Sequence, residues 1–148
     1  MSATCFRDDR VYVIAEVANT HEGSADLART LTEGVARTGA DAIKFQLIRA
    51  DELLVPTHRE YGDFRRYELR AEAWTALIGH AKNLGLAVWA EVFGARGEEL
   101  ARTLPVDGFY VHASDLVNIP LIQRLGAIGR PVLLSTGGAT LGEIRRAL

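Results

Sequence analysis

The chain has 148 residues, 48% of them hydrophobic and 24% charged, with a formal net charge of −2. That suffices for one domain with a sizeable core, and it gives no electrostatic case for nucleic acid or an acidic membrane surface. No apolar stretch nears the roughly 20 residues of a membrane span, the start Met1 to Arg10 lacks the features of a secretion signal, and the single Cys5 cannot close an internal disulfide, so a cytoplasmic protein is expected.

Val11 to Val17 is a short apolar run rich in β-branched residues and predicts a buried strand. Ser24 reads as an N-cap, followed by a helical pattern through Leu27, Leu31 and Val35 that Gly39 stops. Asp41 to Ile48 predicts the second strand. Arg49 to Arg70 is polar and irregular, holds Pro56 and Gly62, and is long enough to suggest a functional loop. Ala71 to Leu84 predicts a helix, with Trp74, Leu77, Ile78 and Ala81 at spacings of three and four and Gly85 closing it. Leu86 to Val92 is the third expected strand, Gly97 to Leu104 the core of a helix, and Gly108 to His112 the fourth strand. A helix over Ile119 to Ala127 ends at Gly129, and Pro131 to Ser135 is the fifth strand. Thr140 opens a last helix, with Glu143 placed for a capping box.

Strands apolar on both faces, each followed by a helix, predict an α/β fold with a parallel sheet covered by helices. A closed eight-stranded barrel and an open doubly wound sheet both fit. No Gly-x-Gly-x-x-Gly follows the first strand, which weakens a dinucleotide-binding fold. A closed barrel needs about 250 residues. The chain is therefore expected to be either the N-terminal part of a barrel, about five βα units with parallel strands, or an open sheet.

Polar residues follow the apolar runs, where barrel enzymes gather their catalytic groups. Glu16 ends the first run, in a place where a carboxylate is poorly solvated and suited to acid–base work; the alternative is a structural pair with Lys44. Lys44 lies between Ile43 and Phe45 and must reach an anion: Glu16, a substrate carboxylate or a phosphate. A Schiff-base role is a further option for it. Gln46, two residues on, shares its strand face and suits a polyol. Ser135-Thr136-Gly137-Gly138 suits an oxyanion or phosphate, or is a plain turn. Asp115 suits sugar hydroxyls or caps a turn, and Asn118 reads as an N-cap. His21 and His112 are weak candidates for joint metal ligation, and no metal ligand is assigned.

Three motifs together resemble the sialic acid synthase family, the N-acetylneuraminate synthases. They are Glu16-Val17-Ala18-Asn19-Thr20-His21-Glu22-Gly23, then Gly39 to Gln46, then Arg130 to Gly138 followed by Glu143-Ile144. The resemblance runs from about Val11 to the last residue. It implies a TIM (β/α)8 barrel that condenses phosphoenolpyruvate with an N-acylated hexosamine, or its phosphate, to a nine-carbon 2-keto acid. A divalent metal, Mn²⁺ or Mg²⁺, would activate the sugar aldehyde as a Lewis acid. By matching position, Glu16 would be the acid–base carboxylate, Lys44 and Ser135 would hold phosphoenolpyruvate, and Gln46 and Asp115 would face the sugar.

Departures from the family pattern carry expectations of their own. Ala90-Glu91-Val92-Phe93 stands where the family has Ser-Thr-Pro-Phe, and a carboxylate at Glu91 would repel phosphate unless protonated or paired. Tyr110-Val111-His112-Ala113 replaces Lys-Ile-x-Ser, so a cation and a hydroxyl are missing. Residues 1–148 are read as the N-terminal part of the barrel, without the second half that carries the metal-binding histidines and without the antifreeze-like domain. A homo-oligomer, or a complement of a second half-barrel, is expected. The alternatives are a non-catalytic sugar- or phosphate-binding relic and an aldolase- or epimerase-type barrel.

Overall fold

The structure is a computed structural model that describes residues 10–148. Cys5, and the stretch before Arg10 that was read for a secretion signal, lie outside the described residues.

Five strands form one parallel sheet: β1 (Ile14–Ala18), β2 (Ala42–Leu47), β3 (Ala87–Val92), β4 (Gly108–Val111) and β5 (Val132–Leu134). Their spatial order is β1-β2-β3-β4-β5, so each strand pairs with its sequence neighbours. A doubly wound sheet reverses its order partway across. This sheet never reverses, and the architecture is a partial (β/α)8 barrel of five βα units.

The helices form where local signals place them. Ser24 caps α1 (Ala25–Ala36) by accepting from the Leu27 amide. The helix α4 (Ala71–Asn83) buries Trp74, Leu77, Ile78 and Ala81 on one stripe. Asn118 caps α6 (Ile119–Gly126) through the Leu121 amide, and Thr140 with Glu143 makes a full capping box on α7 (Leu141–Ala147). Between β3 and β4 runs α5 (Gly94–Thr103).

The core lies between these helices and one face of the sheet. Ile43, Phe45 and Leu47 of β2, Val88, Ala90 and Val92 of β3, and Phe109 and Val111 of β4 point into it, against Trp74, Leu77, Ile78, Leu100 and Leu121. The alternate residues face the other way, toward the barrel interior: Lys44 and Gln46, Trp89 and Glu91, Gly108 and Tyr110. The sheet is therefore not apolar on both faces, as the runs suggested. Its interior face holds charges that pair with one another across strands. Gly108 is required there, because a Cβ would sit 2.4 Å from the Trp89 ring that lies across β4.

The connection read as an irregular loop holds two short helices, α2 (Ala50–Leu53) and α3 (Tyr61–Tyr67). Tertiary contacts fix them. The Glu68 carboxylate accepts from the Ala50 amide at 2.9 Å and from Arg49 at 3.2 Å, closing the start of α2. Asp51 accepts from the Tyr61 hydroxyl and pairs with Arg96 at 3.1 Å. Glu52 receives the Arg96 and Gly97 amides, at 2.8 and 3.1 Å, and so caps α5 from another helix. The turn after β1 docks on the end of α3: Gly23 has φ +80°, and a Cβ there would lie 1.9 Å from the Arg66 carbonyl oxygen.

Candidate functional site

Parallel register brings side chains distant in sequence onto two neighbouring interior rows. Glu16 lies opposite Lys44, and Gln46 lies opposite Glu91, which lies opposite Tyr110. All five point to the interior near the carboxyl ends of their strands. A bulge follows at once in β1, where the register shifts between Glu16 and Ala18, and Ala18 has φ 49°. A non-glycine residue in that region stores strain, and bulges re-aim side chains beside sites.

Lys44 is the centre of the cluster. Its Nζ lies 3.0 Å from Glu16 Oε1 and 3.0 Å from Glu91 Oε2. It also sits 3.8 Å from the centre of the Tyr110 ring, in cation–π geometry. Gln46 Nε2 donates to the same two carboxylates, at 3.3 Å to Glu16 and 3.0 Å to Glu91. Burial weighs most against the charge on Lys44, yet the hydrogen bonds and charges of Glu16 and Glu91 overcome it and hold the pKa above the ordinary lysine value. The ammonium is thus protonated and not nucleophilic at neutral pH. A Schiff base on Lys44 loses its physical basis.

The carboxylates differ in setting. Glu91 is almost fully enclosed, its side chain 1% exposed, whereas that of Glu16 is 45% exposed. Glu16 is thus more open, among the described residues, than the poorly solvated carboxylate expected: it lies just before the bulge, on a strand with one paired neighbour. Glu91 is the buried acid, and it is paired, which meets the condition attached to it in the sequence. Two carboxyl groups thus surround one ammonium.

The remaining candidates stand apart from this cluster. The Ser135 amide donates to the Val111 carbonyl at 3.0 Å, which extends the β4–β5 ladder by one residue. Two residues beyond Leu133, Ser135 falls on the interior side of β5, three strand spacings from Lys44, or about 14 Å along the sheet. Asp115 lies in a short 3₁₀ turn, Ala113–Asp115, after β4, and accepts from Asn118 Nδ2 at 3.3 Å. Of its two readings, the turn cap is the one with a visible partner.

His21 and His112 do not converge. His21 is buried in the helix layer, 5.8 Å from the Trp74 ring and edge-on to it, and its Nδ1 accepts from the Gly23 amide at 3.1 Å. Burial pushes its pKa below the ordinary histidine value, so the ring is neutral. His112 is exposed and hydrogen-bonds Ser114. Among the described residues no three His, Cys, Asp or Glu side chains come together as a metal site.

Sequence reading missed Glu91 and Tyr110 as members of the cluster and saw them only as departures. Strand parity was the available signal. Glu91 is the last interior-facing residue of its strand, beside Gln46, and Tyr110 follows it on the next strand.

Residues 31–148 match the NeuB family. The N,N'-diacetyllegionaminic acid synthase of Campylobacter jejuni is 29% identical over 153 residues, covering 94% of this chain and 46% of that protein. The N-acetylneuraminate-9-phosphate synthase of Drosophila melanogaster is 26% identical over 151 residues, covering 93% and 41%. Among solved structures, the N-acetylneuraminic acid synthetase of Leptospira borgpetersenii superposes with a TM-score of 0.88 at 24% identity, over 94% of this chain and 49% of that one. The chain spans less than half the length of the curated relatives it matches. No helix among the described residues is long and apolar enough to cross a membrane.

Proposed function

Because the chain belongs to the NeuB family, we propose that it forms the first five βα units of a barrel that condenses phosphoenolpyruvate with an N-acylated hexosamine or its phosphate, yielding a nine-carbon 2-keto acid. One observation carries this reading. Glu16, Lys44 and Gln46 meet within 3.0–3.3 Å at the carboxyl ends of two adjacent parallel strands, the edge at which barrel enzymes place their chemistry.

The balance of the reaction defines what the residues must do. The CH₂ carbon of phosphoenolpyruvate bonds to the aldehyde carbon of the open-chain sugar. The aldehyde oxygen takes a proton and becomes a hydroxyl, while water supplies the keto oxygen as phosphate leaves. Glu16, solvent-accessible beside the ammonium, is the group suited to move a proton at the aldehyde oxygen. Lys44 supplies positive charge for the acid. Gln46 offers its carboxamide to sugar hydroxyls. Ser135 and Asp115 stand apart from this cluster, and their assignment to the acid and the sugar rests on the family resemblance alone. Among the described residues no ligand set converges for the divalent Mn²⁺ or Mg²⁺ that the resemblance implies, whose histidine ligands it places in the second half of the barrel.

Calorimetric titration of phosphoenolpyruvate into the protein tests the reading. Saturable heat at one site, lost in Lys44→Met, is expected. No heat, alone or with an N-acylated hexosamine present, removes the condensing-enzyme reading. A second reading, a non-catalytic sugar-binding relic, draws on the prior commitment of Lys44 to two carboxylates. It predicts heat with the neutral hexosamine and none with phosphoenolpyruvate.

A further inference from the structure

The interior-facing strand positions carry a single cationic side chain among the described residues, Lys44. Among the described residues, this is the one strand-borne ammonium that an acidic ligand at the strand-end mouth would meet. The ammonium is already enclosed: Glu16 at 3.0 Å, Glu91 at 3.0 Å, and the Tyr110 ring at 3.8 Å. The two carboxylates are not equivalent. Glu16 can turn into the water it already touches. Glu91, 1% exposed and held as well by Gln46 at 3.0 Å, has no solvent to turn into. An anion that displaces Glu16 still meets a fixed negative charge on the same ammonium, in an enclosed setting where charge repulsion is weakly screened.

We propose that Glu91 is the specificity-determining residue of this mouth: it holds Lys44 as an internal substitute for an acidic ligand and sets how weakly a phosphate- and carboxylate-bearing acid can bind. Neutral hydroxyl ligands, which need Gln46 and Glu16 rather than a free ammonium, escape this competition. The inference rests on the reading that phosphoenolpyruvate binds at Lys44, and it adds the residue that opposes it.

The test compares phosphoenolpyruvate and neutral N-acetylmannosamine on wild type, Glu91→Gln and the double variant Lys44→Met/Glu91→Gln. Removing the Glu91 charge is expected to tighten phosphoenolpyruvate about tenfold or more, as befits a close buried charge pair. The sugar affinity should stay within about twofold, since no charge is involved, and the gain should vanish in the double variant. A merely structural loosening would move both ligands together. Glu91→Thr removes the same charge with a smaller side chain, and a phosphoenolpyruvate-dependent rise in Tm reads binding from folded protein only. Equal phosphoenolpyruvate affinity in wild type and Glu91→Gln overturns the inference and leaves the proposed function intact. A gain that persists without Lys44 also overturns it. Phosphoenolpyruvate binding to none of the variants overturns both.

Discussion

Lys44 shows what an ion cluster demands of its neighbours. Its side chain is 8% exposed, a setting in which a lone ammonium would shed its proton. Two carboxylates and an aromatic face reverse that outcome, and Gln46 fills carboxylate lone pairs that would otherwise stay bare. The opposite logic applies to His21, which is buried among apolar groups without a counter-charge and therefore stays neutral. Its lowered pKa has a defined consequence for stability. Below the ordinary histidine value of 6.5 the unfolded chain binds a proton that the folded chain refuses. The His21 contribution is thus complete above that value and is lost as pH falls toward the folded pKa. Urea unfolding followed between about pH 7 and 5, a range above most carboxylate titrations, should show midpoints that decline with acid in wild type. That decline should flatten in His21→Gln. An equal slope in both proteins would remove His21 as its source.

At the scale of elements, strands and long helices followed local rules, and α2 and α3 did not. Neither short helix has an amphipathic stripe to read, and neither is capped by its own flanking residue. Their order comes from Glu68, which closes α2, and from Asp51 and Glu52, which tie α2 to α5. Glu52 lies within α2 and accepts from two amides in the first turns of α5. Glu52→Ala should cost about 1–2 kcal/mol, the upper range for a lost N-cap, measured by chemical denaturation. Hydrogen exchange at the Arg96 and Gly97 amides should accelerate in the same variant. Unchanged exchange there would mean that Glu52 does not cap α5 in solution. The β1 bulge belongs to this scale too. The extra residue is Val17, which packs in the core between Glu16, still in register with Lys44, and Ala18, paired with Phe45.

At the scale of the molecule, β1 and β5 each pair on one side only among the described residues. Apolar side chains flank the β5 edge: Ile122 from α6, Val132 and Leu134 from the strand, and Ile144 from α7. Unpaired strand edges beside apolar surface invite pairing with another chain. Light scattering on this 148-residue chain is expected to report an oligomer or heterogeneous association rather than a monomer. A monodisperse monomer at tens of micromolar would show that these edges are protected.

The resemblance and the parallel α/β order were legible because they are written in local terms. Apolar runs of strand length, an i, i+3, i+4 stripe from Trp74 to Ala81, and caps at Ser24, Asn118 and Thr140 each depend on residues within one turn of one another. The identity of the strand-end polar groups was legible for the same reason, since Glu16, Lys44 and Gln46 each close or interrupt an apolar run. The family resemblance anticipated the unreversed strand order and the residues anticipated the Glu16–Lys44 pair, whereas tertiary structure alone decided the helices inside 49–70 and the second carboxylate, Glu91, that Lys44 keeps. Gln46 meets Glu16 and Glu91 across 30 and 45 residues of chain. Such contacts arise from register between strands, which no local pattern encodes. Glu91, a departure from the family pattern in sequence, is once folded a counter-charge that helps keep a buried lysine ionised.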